Sequence, residues 1–513
     1  MEVPYLQLRE THCAGLLLVG DQVFKFKKPV ELGFLDFTTR SARAEACRRE
    51  VLLNRRFAPD VYLGVADVLL PGGETEPLVV MRRMPDERRL SHLVDLGVDV
   101  ADDLRALARL VAVVHADGTR RPEIDEQASR ARLRGRWDES FAQVRETAAG
   151  ADREADVGEV ERLAVRFLDG RAPLFEQRLA DGCAVDGHGD LISDDVFCLA
   201  DGPRALDCLE FDDALRYVDR VDDASFLAMD LEQRGAPELG AAFLQWYAEF
   251  SGDDAPPSLV HHYVAYRAFV RAKVACVRHE QGADTAEEID SHLWVAERHL
   301  AEGAVTLVLV GGPPGSGKTT VAGAVADRTG MVLLTADRLR KELAGLDPSK
   351  PAAAPYEHGI YSPRHTLRTY GELVRRAEAL LARGESVVLD ASWTRAGDRE
   401  LARTAARRTH SDLVELLCSA PEAETTARVA ARTRAQRARG GAVSDADAAV
   451  AAALRDKAEP WPEATVVDTS AEASAGGAPG ADAAVDAAVA RVRPSPETHH
   501  LRRPRRRPFL EPD

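Results

Sequence analysis

The sequence predicts two domains, the second of which is an α/β domain that is built on a parallel sheet. The chain has 513 residues, which exceeds the roughly 250–300 residues at which a single hydrophobic core usually divides. Strands alternate regularly with helices only after Gly303, and an apolar run at residues 305–310 leads directly into a glycine-rich loop. We therefore expect domains over residues 1–300 and 303–492, and a basic, proline-containing tail over residues 493–513.

The elements of the second half follow from this alternation. The predicted strands are residues 307–310, 331–334, 387–389 and 413–418, and the predicted helices lie between them, ending near residues 327, 343, 382 and 409. This order predicts a parallel sheet with right-handed crossover connections. In the first half, residues 257–302 have long helical patterning, whereas the Ala-, Gly- and charge-rich residues 147–157 are typical of a surface loop.

The glycine-rich loop predicts a site for ATP and Mg²⁺. It consists of Gly312, Pro313, Pro314, Gly315, Ser316, Gly317, Lys318 and Thr319, followed by Thr320. A strand that ends in such a loop and then opens a helix directs several backbone N–H groups at one point, where a phosphate can replace water. Lys318 can reach the β- and γ-phosphates, and the hydroxyl of Thr319 can bind the phosphate-bound Mg²⁺.

Two acids follow later strands of the same predicted sheet. Asp337 comes at the carboxyl end of one strand, the edge where open α/β sheets bind ligands, and is placed to activate a hydroxyl group. Arg340, one turn further along, could hold an anionic or hydroxyl-rich acceptor. Asp337 could instead only cap its helix, and the two roles can coexist. Asp390 ends the next strand and is expected to order Mg²⁺ through water.

Two further sets of residues complete the predicted site of the second half. An arginine-rich stretch ending at Gly440 and Gly441 suits a lid that closes over the triphosphate, although it could also be a solvated helix face. Its members are Arg428, Arg432, Arg434, Arg437 and Arg439, with Arg432 the candidate catalytic cation. Ser392, Trp393, Thr394 and Arg399 are expected on the acceptor side, and the aromatic and polar residues Tyr356, His358, Tyr361 and Trp393 could line the acceptor pocket or simply pack.

The first half concentrates carboxylates around a predicted hairpin. His188, Gly189 and Asp190 precede two short apolar strands that flank a turn at residues 201–203, with Asp195 and Asp207 at the ends of these strands. An Asp within reach of a hydroxyl group can accept its proton, and two further carboxylates can hold Mg²⁺ across ATP phosphates. On this logic Asp190 is the base and Asp195 and Asp207 are metal ligands. A polar loop whose acids cap turns is the alternative.

These residues resemble the aminoglycoside phosphotransferase group of protein-kinase-like enzymes, whose catalytic loop reads H-x-D-x-x-x-x-N. The resemblance implies a bilobal kinase-like α+β fold over the first half, with Asp195 replacing the usual Asn. It also implies that Lys25 or Lys27 contacts phosphate, and because both lie on one face of a strand the choice stays open. Glu50 is the expected ion-pair partner, and residues 79–85 would form the hinge between lobes.

The second half resembles small-molecule P-loop kinases of the gluconate kinase, chloramphenicol phosphotransferase and zeta-toxin type. Together the halves resemble bacterial bifunctional aminoglycoside phosphotransferase/ATP-binding proteins over roughly the first 490 residues. The resemblance implies an ATP- and Mg²⁺-dependent phosphotransferase acting on a hydroxyl group of a small molecule, with the second half as the surer catalytic unit. A kinase-like scaffold coupled to an ATP-driven switch, and a polynucleotide 5′-hydroxyl kinase, are the alternatives.

Composition narrows the expected partners and location. The net charge of −17 does not favour broad nucleic-acid binding, which draws its affinity from Lys and Arg, although the arginines at residues 502–507 could touch such a ligand. Seven scattered cysteines without C-x-x-C spacing predict neither a disulfide framework nor a zinc site. No apolar segment approaches the roughly 18 residues needed to cross a membrane. We expect a cytoplasmic protein with a small-molecule partner.

Overall fold

The computed structural model describes residues 6–10, 14–31, 36–118, 120–347, 358–439, 456–470 and 480–493. Within these ranges the chain forms a small antiparallel sheet, a helical region and a parallel sheet flanked by helices. No helix in the described ranges is both long and apolar enough to span a membrane.

The first lobe is a five-stranded antiparallel sheet with one helix packed on it. Its elements are β1 (Leu6–Glu10), β2 (Ala14–Val19), β3 (Gln22–Lys27), α1 (Arg40–Asn54), β4 (Tyr62–Leu69) and β5 (Thr75–Arg82). The strand order is β1-β2-β3-β5-β4. α1 begins at Thr39, whose hydroxyl accepts the N–H of Ala42 as an N-cap. α1 contacts β4 and β5 and so packs against one face of the sheet.

The second lobe is mostly helical. Its helices are α2 (Leu90–Asp95), α3 (Ala101–Asp117), α4 (Pro122–Gln127), α5 (Arg130–Arg145), α6 (Ala148–Ala151), α7 (Glu154–Gly170), α8 (Ala172–Ala180), α9 (Arg220–Gln233), α10 (Pro237–Ser251), α11 (Pro257–Glu280) and α12 (Ala286–Glu302). Its strands are β6 (Ala184–Asp186), β7 (Val196–Leu199), β8 (Gly202–Ala205) and β9 (Tyr217–Asp219), which pair as β6 with β9 and β7 with β8. The two lobes confirm the expected kinase-like α+β architecture, and β7 and β8 form the predicted hairpin.

The expectation of a surface loop at residues 147–157 is wrong. This segment contains α6 and the first turn of α7. The hydroxyl of Thr147 accepts the N–H of Gly150 and starts α6. A Cβ on Gly150 would lie 2.0 Å from the carbonyl oxygen of Val144, so the glycine permits close packing here rather than flexibility.

The second half is a five-stranded parallel sheet covered by helices. Its elements are β10 (Thr306–Gly311), α13 (Lys318–Thr329), β11 (Val332–Thr335), α14 (Ala336–Leu343), α15 (Pro363–Leu381), β12 (Val387–Asp390), α16 (Ala396–Arg408), β13 (Asp412–Ser419), α17 (Glu422–Arg439), β14 (Thr465–Asp468) and α18 (Gly480–Val492). The order is β11-β12-β10-β13-β14, and every neighbouring pair is parallel. This confirms the α/β class, because the alternating segments supply crossovers on both faces.

The two halves pack closely at one edge of the parallel sheet. Arg171 is 1% exposed and donates hydrogen bonds to the carbonyl oxygen of Thr409 (2.5 Å) and the hydroxyl of Ser411 (3.3 Å). The hydroxyl of Ser258 donates to the carbonyl oxygen of Gly384 at 2.7 Å. These partners precede β13 and β12, so the contact lies at the amino edge of the sheet. The glycine-rich loop follows β10 and therefore lies at the opposite, carboxyl edge.

Candidate functional site

The glycine-rich loop leaves β10 at Gly311 and enters α13 at Lys318. Gly312, Gly315 and Gly317 have φ values of 136°, 85° and 82°, in the region that favours glycine. A Cβ on Gly315 would lie 2.4 Å from the carbonyl oxygen of Thr425, and a Cβ on Gly312 would lie 2.6 Å from that of Cys418. The loop therefore needs glycine both for its conformation and for its close contact with neighbouring backbone.

Ser316 lies at the centre of the loop. Its N–H donates to the carbonyl oxygen of Pro313 at 3.2 Å, and its own carbonyl oxygen accepts from the hydroxyl of Thr469 at 2.7 Å. The Ser316 hydroxyl is buried and has no hydrogen-bond partner. Pro314 is buried, whereas Thr320 is exposed. A buried hydroxyl without a partner at a helix N-terminus suits an anionic ligand such as a phosphate.

Thr319 and Asp390 bring the loop and β12 together. The Thr319 hydroxyl donates to Asp390 Oδ2 at 2.8 Å, and Asp390 Oδ1 is buried without a partner. Burial raises the pKa of Asp390, while the positive charge of Lys318 and the Thr319 hydrogen bond act to lower it. A hydroxyl and a carboxylate with spare lone pairs at this edge fit Mg²⁺, which usually takes one or two protein oxygens and completes its shell with phosphate and water.

Asp337 and Arg340 meet on the acceptor side. Arg340 donates to Asp337 Oδ1 at 2.9 Å, and its guanidinium lies 4.8 Å from the centroid of the Tyr361 ring. Arg340 is 7% exposed, whereas the Asp337 side chain is 34% exposed. The arginine is thus held within the protein, and the carboxylate faces outward from the sheet edge, where a substrate hydroxyl could reach it.

Trp393 and Arg399 are packed within the protein, so Trp393 follows its packing alternative, whereas the acceptor-side expectation for Arg399 is wrong. Trp393 is 1% exposed and Arg399 is 2% exposed. Arg399 donates to the carbonyl oxygens of Trp393 at 2.8 Å and Pro460 at 2.6 Å, so its charge is used to hold a loop. The sequence could not distinguish packing from acceptor binding, because both residues follow β12, whose carboxyl end lies at the ligand-binding edge of the sheet.

One arginine of the predicted lid contacts the phosphate loop directly. Arg428 donates to the carbonyl oxygen of Thr469 at 2.8 Å and lies 3.4 Å from that of Gly315. Arg434 is exposed on α17, and His358 is exposed before α15. The side chains of Arg432, Arg437 and Arg439, and the residues Tyr356, Gly440 and Gly441, lie outside what the structure describes. Thr469 was not predicted, since no local pattern marks it.

In the first half, both candidate lysines bind Glu50. Lys25 Nζ lies 2.9 Å from Glu50 Oε1 and 2.6 Å from Asp207 Oδ1. Lys27 Nζ lies 2.7 Å from Glu50 Oε2 and also pairs with Glu210. Although burial opposes it, the negative charges of Asp207 and Glu50 raise the pKa of Lys25 well above its ordinary value. Lys25 is the lysine that faces the carboxylate cluster, and Lys27 stabilises Glu50 and Glu210 behind it.

The backbone of the predicted catalytic loop is held by Asp223, which sequence reasoning missed. Its carboxylate accepts the N–H groups of His188 and Gly189, each at 2.8 Å. His115 Nε2 lies 2.9 Å from the same carboxylate, and His115 Nδ1 lies 2.8 Å from the hydroxyl of Tyr247. His188 is itself buried, with Nε2 bound to the carbonyl oxygen of Leu206 at 3.0 Å. Its side chain is therefore structural, which leaves Asp190 as the candidate base of this loop.

Asp190, Asp195 and Asp207 influence one another electrostatically. Desolvation, followed by repulsion from Asp207 and Asp190, raises the pKa of Asp195 well above its ordinary value. Desolvation also raises the pKa of Asp190. In the described part of the chain, no three His, Cys, Asp or Glu side chains converge as a metal site of their own. Two of these acids together with nucleotide phosphates still fit Mg²⁺, which seldom takes an all-protein shell.

A cleft of about 150 Å³ opens between the two lobes beside Asp195 and Asp207. Its charged lining residues are Lys25, Asp195 and Asp207 together with Arg9, Arg82, Arg83, Asp86 and Arg89. Its apolar wall includes Leu16, Leu18, Val23, Met81, Met84, Phe197 and Leu206. Met81 and Met84 lie in the segment predicted as the hinge. A cleft that combines an apolar wall with a lysine and carboxylates suits the base and phosphates of a nucleotide.

The fold and these two sites define a kinase-like domain joined to a P-loop kinase domain, the class of ATP-dependent phosphotransferases. A family model described as an AAA domain matches residues 307–461. The chain belongs to the same family as the uncharacterized protein Rv2004c of Mycobacterium tuberculosis (strain ATCC 25618 / H37Rv), with 43% identity over 471 residues that cover 91% of this chain and 93% of that protein. The uncharacterized protein Mb2027c of Mycobacterium bovis matches equally well, with 43% identity over 471 residues.

Two solved structures are similar to separate parts of the chain. A choline/ethanolamine kinase family protein from Mesorhizobium loti is 15% identical, with a TM-score of 0.36, covering 58% of this chain and 91% of that one. A gluconokinase from Sinorhizobium meliloti 1021 is 20% identical, with a TM-score of 0.26, covering 37% of this chain and 93% of that one.

Proposed function

We propose that this protein transfers the γ-phosphoryl group of ATP to a hydroxyl group of a small molecule, and that the P-loop domain is the catalytic unit. The observation that carries the proposal is the pairing of Thr319 with Asp390 beside the glycine loop, where the Ser316 hydroxyl and Asp390 Oδ1 are buried without partners. These groups supply what a Mg²⁺-bound triphosphate needs at a helix N-terminus.

Each residue of the P-loop site has a separate role in the proposed reaction. The loop N–H groups and Lys318 hold the β- and γ-phosphates, and bound Mg²⁺ offsets charge on the phosphate oxygens. Asp337 accepts the proton of the acceptor hydroxyl while the oxygen of that hydroxyl bonds to the γ-phosphorus. The bond between the γ-phosphorus and the β,γ-bridging oxygen breaks, and ADP is released. Arg340 orients the Asp337 carboxylate through their 2.9 Å contact. Arg432 remains a proposed lid cation.

We also propose that the first half binds Mg²⁺ and a nucleotide, since Lys25 and Asp207 line the interlobe cleft and the buried Glu50 pairs with Lys25. Asp190 would be its base, and Asp195 and Asp207 its metal ligands. The acceptor would be a small molecule with a sugar-like, aminoglycoside-like or nucleotide-like hydroxyl group, and the reaction would take place in the cytoplasm, where the buried free thiols remain reduced.

The test is a metabolite-pool screen for ATP-dependent phosphorylation. The wild type is compared with Lys318→Ala, Asp190→Ala and Lys457→Ala, the last of which removes an exposed lysine of the P-loop domain as a matched control. We expect a phosphorylated product that disappears with Lys318→Ala and persists with Lys457→Ala. If the phosphorylated product disappeared with Asp190→Ala and persisted with Lys318→Ala, the first half would be the catalytic unit instead. Absence of ATP binding in calorimetry at millimolar Mg²⁺ would refute the proposal.

A further inference from the structure

Asp207 has an unusual backbone conformation for a residue that bears a side chain. Its φ value is 62°, in the left-handed region. Aspartate tolerates this region better than most residues, but surrounding contacts are needed to maintain it. Because the direction of the carboxylate depends on this backbone, the groups that hold the backbone also aim the carboxylate at the cleft.

Two buried side chains from the sheet lobe hold this turn. The Tyr62 hydroxyl accepts the N–H of Asp207 at 3.1 Å. Asn54 Oδ1 accepts the N–H of Cys208 at 2.8 Å, and Asn54 Nδ2 lies 3.4 Å from the carbonyl oxygen of Cys208. Tyr62 is 1% exposed and Asn54 is 0% exposed, so neither contact competes with bulk water.

Helix α1, which carries Asn54, also carries Glu50, the ion-pair partner of Lys25 and Lys27. Asn54 lies one turn after Glu50 on α1, and Asn54 Nδ2 donates to the carbonyl oxygen of Glu50 at 2.9 Å. Glu50 in turn binds Lys25, which contacts Asp207 from the other side. The backbone and the carboxylate of Asp207 are therefore both located from α1, through Asn54 and through the Glu50–Lys25 pair.

We propose that Asn54 and Tyr62 are positioning residues for metal-bound nucleotide in the first half, an inference that rests on the proposed nucleotide site of that domain. They act through Asp207; Tyr62 also lines the interlobe cleft, and Tyr62→Phe keeps its ring and removes only the hydroxyl that holds the Asp207 backbone. Outer partners that orient a metal-binding carboxylate typically change metal affinity by about 10–100-fold when removed. Their loss weakens the binding of metal and leaves metal-free nucleotide binding intact.

The experiment measures Mn²⁺ binding in the presence of a non-hydrolysable ATP analogue by electron paramagnetic resonance. The full-length chain carries Lys318→Ala and Asp390→Asn, so that the P-loop site does not contribute. Tyr62→Phe and Asn54→Leu are compared with Tyr370→Phe, which removes an equally buried phenol hydroxyl from the other domain. We expect Mn²⁺ affinity to fall about 10-fold or more in the first two variants only, with unchanged analogue affinity in EDTA.

Each contrary result has a distinct meaning. The positioning role would be overturned if folded Tyr62→Phe and Asn54→Leu proteins bound Mn²⁺ within about twofold of the Lys318→Ala, Asp390→Asn background. It would also be overturned if affinity for the ATP analogue fell equally with and without metal. If the background protein itself binds no Mn²⁺–nucleotide, the nucleotide site of the first half is refuted, and the inference falls with it. The P-loop reaction is tested separately by the wild-type screen.

Discussion

Thr319 Oγ1 donates a 2.8 Å hydrogen bond to Asp390 Oδ2 and so joins the first turn of α13 to the carboxyl end of β12. The two residues come from separate strand–helix units of the sheet. Their contact places a hydroxyl and a carboxylate beside the glycine loop, which is the arrangement on which the proposed phosphotransferase depends.

Asp390→Asn and Thr319→Val should each reduce phosphoryl transfer by about 10²–10³-fold, because the bound metal loses an oriented oxygen. Initial rates measured over a range of Mg²⁺ concentrations check this, and the variants should need more Mg²⁺ for half-maximal rate. Asp486→Asn changes an exposed aspartate of the same domain and is the control. Unchanged Mg²⁺ dependence in both variants would contradict the assigned role.

Gly315→Ala should weaken ATP binding and destabilise the P-loop domain by about 1–3 kcal/mol, since the left-handed backbone is strained with a side chain. The new Cβ would also meet the carbonyl oxygen of Thr425 at 2.4 Å. Gly323→Ala is the matched control, because its Cβ would meet nothing within 4 Å inside α13. It should stabilise the helix by about 0.5–1 kcal/mol. Calorimetric unfolding of both variants distinguishes the outcomes.

Asp195→Asn should raise the unfolding temperature of the first half in EDTA. Replacing this acid with an amide removes the desolvation cost of a buried carboxylate and the repulsion by Asp207 and Asp190, with a gain on the order of 1 kcal/mol. Asp194→Asn is the control, because the exposed Asp194 instead pairs with Arg234 at 2.9 Å. A lower unfolding temperature for Asp195→Asn would show that the carboxylates do not oppose one another.

His262 should make the first half less stable in acid. Burial lowers its pKa to about 3, and its Nε2 accepts the Trp137 indole N–H at 3.2 Å, which requires the neutral ring. Between the ordinary pKa near 6.5 and pH 3 the unfolded chain binds the extra proton, so the free energy of unfolding falls as pH falls.

The expected contribution of His262 is about 1.4 kcal/mol for each pH unit in that window. Denaturant unfolding of the wild type and of His262→Phe from pH 7 to pH 4 measures it, and the variant should show a shallower slope. His92→Phe, at an exposed position, is the control. Parallel slopes for the wild type and His262→Phe would refute the prediction.

The sequence alone determined the α/β class of the second half and the place of its phosphate loop. Both depend on local patterns, because strand and helix periods and glycine spacing are read directly from neighbouring residues. The hairpin predicted between Asp195 and Asp207 also forms, since β7 pairs with β8, and Asp190 and Asp207 both act electrostatically on Asp195. The functional roles of these residues stay predictions.

Tertiary structure decided what depends on contacts between distant segments. Lys25 and Lys27 share one strand face, and only the position of Asp207 shows that Lys25 faces the cleft. Asp223 and Asn54 carry no local signal, yet each holds the backbone of a candidate site. A buried polar side chain finds its hydrogen-bond partner on the helix or strand that packs against it. The whole fold decides which helix or strand that is, so the residues next to it in sequence do not reveal the partner.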